Sequence, residues 1–171
     1  YNPYQAATPW INTVSKTLTD YTDIDEGYQL MAAMTDPDTG NPIELWGSGM
    51  LIVPPALRAT ARNIVNATHV EKGAISATVP ITRSPNPIEV SDVATVVSSA
   101  MVKSVTGADT TWFLGNPKKA FAYMQNWGLT VVQAPPNNQD EFNRDIAAQY
   151  KASERGVAAT IEPRYMLKLT A

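Results

Sequence analysis

The stretch from Gly49 to Ala67 constrains this chain more than any other. Gly49 to Val53 is a continuous apolar run of strand length, which fits a buried strand. Pro54-Pro55 ends it and opens a helix, because proline is tolerated in a first helical turn. Leu57, Ala61, Ile64 and Val65 then recur at i, i+4, i+7 and i+8, an amphipathic helix to about Ala67. Strand, proline corner and helix make a compact βα unit.

A length of 171 residues suits one domain or two small lobes. A hydrophobic content of 44% against 17% charged residues fits a globular chain and not a disordered one. The formal net charge of −3 argues against a dedicated nucleic-acid binder, which carries a basic excess. With no cysteine, disulfides, thiolate metal sites and thiol catalysis are excluded together. No apolar run approaches the ~20 residues of a membrane-spanning helix.

Residues 1–19 read as a partly ordered lead-in. A helix is expected over 20–35, capped by Thr22 or Asp23, with Asp25 and Glu26 in the first turn and Tyr28, Met31 and Ala32 on one face. Asp36 to Pro42 is a turn. Ala74 to Thr82 has strand composition, and Ser84-Pro85-Asn86-Pro87 reads as a loop. Residues 92–105 fit either state, but their β-branched side chains favour a strand. A hairpin with Thr110–Leu114 across a turn at 106–109 follows.

Asn116 and Pro117 predict a helix whose stripe is Ala120, Phe121, Met124 and Trp127, ending at Gly128. Trp127 is then a core residue, and its truncation would cost ~3–5 kcal/mol. Leu129 to Val132 is expected as a buried strand closed by Pro135-Pro136. Asp140 to Asp145 is expected as one helical turn. Ile146–Ser153, Val157–Ile161 and Tyr165–Leu169 are expected as strands, with Gly156 at a bend or in left-handed geometry. Single helices alternating with short strands, closing on strands alone, define an α+β class.

Catalytic and metal chemistry find little support. His69 is the only histidine and follows a helix end, where a polar residue is ordinary. Gly47-Ser48-Gly49 lacks the spacing of a nucleophile elbow and of a phosphate loop. Asp36, Asp38 and Asn41 lack the Gly and Glu of a calcium loop. One histidine without cysteine cannot build a usual zinc site. Arg58, Arg62, Lys118 and Lys119 read as solvated helix faces. We therefore expect no catalytic residue, no metal and no cofactor. Four Trp and seven Tyr point instead to packing and interfaces.

Several segments, in order, resemble the major capsid proteins of tailed bacteriophages, especially the Mu-like head subunit group. Gly49 to Ala61 is similar to that group's proline–proline element, and Gly40-Asn41-Pro42-Ile43 to the turn before it. Thr111 to Pro117 is similar to its tryptophan strand. Trp127-Gly128-Leu129-Thr130-Val131-Val132 resembles a later segment in which Thr130 stands where proline is common. Phe142 to Leu169 resembles the closing strands, ending in Pro163-Arg164-Tyr165.

The resemblance covers residues 20–171 and implies the shell-forming fold that encapsulin compartments share. It implies a structural subunit that self-assembles, as hexamers and pentamers, into an icosahedral shell around DNA. The DNA would be held non-specifically, other head proteins would be partners, and no membrane would be involved. The site of action would be the virion head, assembled in the bacterial host cytoplasm. Residues 1–19 would be a lead-in, 20–39 a peripheral-domain helix, 40–138 the axial domain and 139–171 closing peripheral strands. A chain opening at Tyr1 would be the C-terminal portion of a longer head protein. Interface candidates are Trp127, Glu154, Arg155 and Arg164. The alternatives are an encapsulin-like shell, another phage structural protein, or a phage maturation hydrolase that would need His69.

Overall fold

The computed structural model describes residues 11–36, 38–43, 49–72, 82–86, 93–135, 143 and 148–171. The chain forms two compact units, Tyr1–Ala120 with Ile161–Ala171, and Phe121–Thr160. The expected strand over 74–81, the helical turn over 140–145 except Asn143, and the first ten residues lie outside the described residues.

The first unit is built on a five-stranded mixed sheet. Its strands are β1 (Thr13–Ser15), β2 (Gly49–Val53), β5 (Val93–Ser98), β6 (Trp112–Gly115) and β9 (Met166–Thr170), in the order β1-β9-β6-β2-β5. β1 runs parallel to β9 and β2 parallel to β5, while β6 is antiparallel to both β2 and β9. Directly opposed residues share a sheet face. Leu51 opposes Leu114, Leu114 opposes Leu167, and Trp112 opposes Leu169. All five are buried in one cluster with Val53. Trp112 also donates its ring N–H to the Lys16 carbonyl at 3.0 Å, so its one polar group is satisfied inside the core.

Helices supply the rest of that cluster. α1 (Tyr21–Ala32) buries Ile24 and Met31, and α2 (Arg58–Asn66) buries Ala61, Ile64 and Val65. The α2 face is the one the sequence predicts, after a short 3-10 turn at Pro55–Leu57. The α1 face differs, since Tyr28 and Ala32 are exposed. Its cap also differs. Asp20 is the N-cap and Asp23, three residues on, completes a reciprocal capping box. The competing acids at 20 and 23 disguise which one starts the helix, because both side chains cap.

Three further expectations are corrected in this unit. Residues 92–105 divide into β5 and the helix α3 (Ala100–Thr106), with Ser99 as N-cap and a left-handed Gly107 as C-cap. The β-branched residues hold the strand only to Ser98, where Ser99 captures the Met101 amide at 3.2 Å and turns the chain helical. With α3 interposed, β5 and β6 form no hairpin, and β2 lies between them. Ser84 and Pro85 are not loop. They belong to β4 (Thr82–Pro85), paired antiparallel with β3 (His69–Lys72), and Pro85 sits at a strand end, where a missing N–H is tolerated. The mixture of packed helices and mixed sheet is α+β, as the sequence predicts.

Among its described residues, the second unit contains a two-stranded antiparallel ribbon of β7 (Phe121–Gln133) and β8 (Tyr150–Thr160). It replaces the expected helix. α4 covers only Pro117–Ala120, and the stripe of Phe121, Met124 and Trp127 continues as strand. Gly128 is accordingly not a helix C-cap. Helical spacing of four apolar residues is a weak local preference, and cross-strand pairing over thirteen residues overrides it.

Candidate assembly surface

Residues opposed across the ribbon share a face, and successive residues alternate between faces. One face carries Phe121, Tyr123, Gln125, Val131 and Gln133 from β7. It also carries Thr160, Ala158, Gly156, Ala152 and Tyr150 from β8. Glu154 belongs to it, because its carboxylate accepts hydrogen bonds from the Tyr123 hydroxyl at 3.2 Å and the Gln125 amide at 3.4 Å. Desolvation first, and then this bond to Glu154, raises the Tyr123 hydroxyl above its ordinary pKa.

The other face carries Met124, Trp127, Thr130 and Val132, opposed by Val157, Arg155, Ser153 and Lys151. Thr130 and Ser153 share a hydroxyl–hydroxyl bond of 3.1 Å there. The register shifts on either side of Trp127, so the strand is bulged where the tryptophan stands. Bulges bend and twist a ribbon and re-aim a side chain.

Both faces are apolar and solvent-exposed. Phe121, Tyr123, Val131 and Tyr150 on one, and Met124, Trp127, Val132 and Val157 on the other, are between 37% and 67% exposed. The buried Trp127 of the sequence reading is therefore corrected, at 53% exposure. The strand expected over Leu129–Val132 is present but not buried. Gly156 is neither bent nor left-handed; it lies within β8 opposite Gln125. Its missing side chain leaves space occupied by the ring of Tyr123 from the neighbouring strand.

Arg164 stands elsewhere, in the short turn Pro163–Tyr165 before β9. Its guanidinium reaches Glu162 through Nε at 2.8 Å and Nη2 at 2.7 Å. This two-point bond, ahead of burial, holds Glu162 below the usual carboxylate range and Arg164 above its ordinary value. The structure thus brings Trp127, Glu154 and Arg155 together on one ribbon and leaves Arg164 in the other unit. Met124, Tyr123, Val131, Tyr150 and Val157 join the surface unannounced by the sequence. Period-two alternation in 150–160 was the available signal, blurred by small and charged residues at alternate positions.

The remaining candidates are ordinary surface. His69 opens β3, exposed, with Nδ1 3.2 Å from the Thr68 hydroxyl. Arg58, Arg62 and Lys118 are exposed, and the Lys119 ammonium lies 5.0 Å from the centre of the Tyr165 ring. An open cleft of about 370 Å³ is lined by Ser15, Lys16, Thr17, Thr19, Asp23 and Ala171. Among the described residues, no helix is long and apolar enough to cross a membrane.

A ribbon that presents apolar side chains on both faces is the kind of surface that protein–protein contacts cover. That is the character of a structural subunit, and the comparison with protein families agrees. The phage capsid protein family matches residues 1–169, and the chain belongs to that family. Its role is that of a structural component of the phage head. No curated protein matches the chain significantly.

Proposed function

We propose that this chain is a major head subunit that self-assembles into a closed icosahedral shell around phage or prophage DNA. Hexamers and pentamers are its building units, and other head proteins are its partners. Assembly takes place in the cytoplasm of the bacterial host. The observation that carries this reading is the ribbon Phe121–Thr160, whose two faces both expose large apolar side chains. Soluble monomers rarely expose large contiguous apolar patches, and an isolated two-stranded ribbon is marginal in water. Lattice contacts cover such surfaces, and many modest contacts sum when the lattice closes.

Finer points belong to the same proposal. The Mu-like assignment rests on the order of the segments Gly49–Ala61, Thr111–Pro117 and Trp127–Val132. The division of peripheral and axial roles at 39/40 and 138/139 belongs to the same reading. Trp127, Glu154 and Arg155 are subunit-contact residues. Light scattering with electron microscopy of the purified chain at rising concentration tests the proposal. Rings or closed particles are the expected result. A chain that stays monomeric at every concentration overturns it.

A further inference from the structure

The two faces of the ribbon differ in charge. Among the residues assigned to faces, the face of Tyr123 and Val131 carries one ionisable acid, Glu154, and no base. The face of Met124 and Trp127 carries Lys151 and Arg155 and no acid. Glu154 and Arg155 are neighbours in sequence, so they stand at the same height on opposite sides. Neither Lys151 nor Arg155 has an ion-pair partner among the described residues.

From this arrangement we propose that the ribbon is a two-sided, head-to-tail contact surface for a second copy of this chain. The basic Trp127 face of one subunit stacks on the acidic Tyr123 face of the next. The inference rests on the shell reading above and specifies which faces meet and with what symmetry.

Charge selects the symmetry. A two-fold contact places a face against itself, so acid would meet acid, or base would meet base. Translating a copy along the ribbon normal instead brings Arg155 of one subunit over Glu154 of the next, with apolar residues around the pair. Such a contact is heterologous, leaves a free face at each end, and closes only as a ring or runs on as a filament. Stacked sheets lie ~10 Å apart, a spacing that dries the side chains between them.

Area limits the strength. Strands of this length, at ~3.3 Å per residue and ~10 Å across the pair, give each face about 400 Å². One stack therefore buries about 800 Å² in total, below the ~1,200–2,000 Å² of a stable isolated interface. Single contacts are accordingly reversible, and persistence comes from closing the ring.

The absence of cysteine makes the symmetry directly readable. Val157 lies on the basic face and Ala158 on the acidic face, and both are exposed. Val157→Cys and Ala158→Cys chains would be treated with a short bis-maleimide at high concentration, separately and mixed. The expected result is cross-linked dimers in the mixture, none from either variant alone, and a ladder from V157C/A158C. Homodimers from a single variant indicate two-fold packing and overturn the proposal. No links in any sample overturn it as well.

Charge variants supply an independent reading. Glu154→Arg should weaken self-association about fivefold, the scale of an exposed charge pair, and adding Arg155→Glu should recover it. A double variant as weak as E154R overturns the pairing. Electron microscopy of the same samples separates the two ideas. Shells without cross-links remove the ribbon contact and leave the shell reading standing. Cross-links without rings or shells do the reverse.

Discussion

The carbonyl of Tyr165 occupies the space into which a side chain at Gly115 would project. Gly115 has φ 144°, a conformation that L residues rarely adopt. A Cβ there would also stand 3.0 Å from the Met166 Cα. The obstacle is backbone in the central part of the sheet, and Asn116 fixes it by donating its N–H to the same Tyr165 carbonyl at 2.8 Å.

Gly115→Ala is therefore expected to destabilise the chain by about 3 kcal/mol or more, from backbone strain and displacement of the β6–β9 pair. Gly156→Ala, by contrast, meets only the side chain of Tyr123, which is 58% exposed and can turn aside at the cost of one exposed hydrogen bond to Glu154. Its cost should stay within about 1 kcal/mol. Urea denaturation of both variants checks the contrast. Equal losses would contradict it.

Two tryptophans should behave oppositely. Trp112→Ala empties a fully buried site and leaves the Lys16 carbonyl without its 3.0 Å donor, so a loss of about 3–5 kcal/mol is expected. Trp127→Ala removes a ring that is already half in water, and its effect on folding should stay below about 1 kcal/mol. Thermal melts measure both, and light scattering should show the second variant associating more weakly than the parent.

The contrast between these tryptophans shows what the sequence makes legible. Local rules read the βα unit from Gly49 to Ala67 correctly, because hydrophobic spacing and a proline corner act within a few residues. They also read the α+β class. They fail on 117–133, where Ala120, Phe121, Met124 and Trp127 carry helical spacing but their partners lie on β8. The same limit hid β5 and β2 as parallel neighbours. Burial is a property of what lies opposite, so Trp127 and Trp112 look alike in one dimension. Glu154 and Arg155 stand out in the sequence as a charged pair, but the alternation that sets them on opposite faces does not.

Acid sensitivity should centre on Asp23. Its carboxyl is buried, which pushes its pKa up, yet the Thr19 hydroxyl, the Asp20 and Thr19 amides and the Lys16 ammonium together hold it below the ordinary carboxylate value. The two bonds from Thr19 measure 2.7 and 2.6 Å. A carboxyl depressed in the folded state stabilises fully above its unfolded pKa of ~3.9, and that contribution disappears as pH falls through the folded value. Asp23→Asn should cost about 1–2 kcal/mol at neutral pH. The gap from the parent should close as pH drops below ~4. Denaturation curves across pH measure it, and a gap independent of pH would assign the stability to packing alone.

Ala120 and Ile161 meet directly, for the Ala120 carbonyl accepts the Ile161 N–H at 2.9 Å and the Glu162 N–H at 3.2 Å. The ribbon thus leaves and re-enters the first unit at one point. Replacing residues 121–160 by a short Gly-Ser turn is expected to preserve the five-stranded sheet, with near-parental circular dichroism from that unit and no self-association through the ribbon. Loss of cooperative unfolding in the shortened chain would show instead that the ribbon supports the sheet.

The position of β9 has a consequence for how the molecule is made. Residues 166–170 lie between β1 and β6, so the sheet that starts at residue 13 cannot close until the ribosome has released them. Contacts of this sequence separation form late, and an interrupted translation product lacks the strand that joins β1 to the rest. A chain that stops before residue 166 therefore leaves β1 unpaired and the Leu167 and Leu169 positions of the core empty.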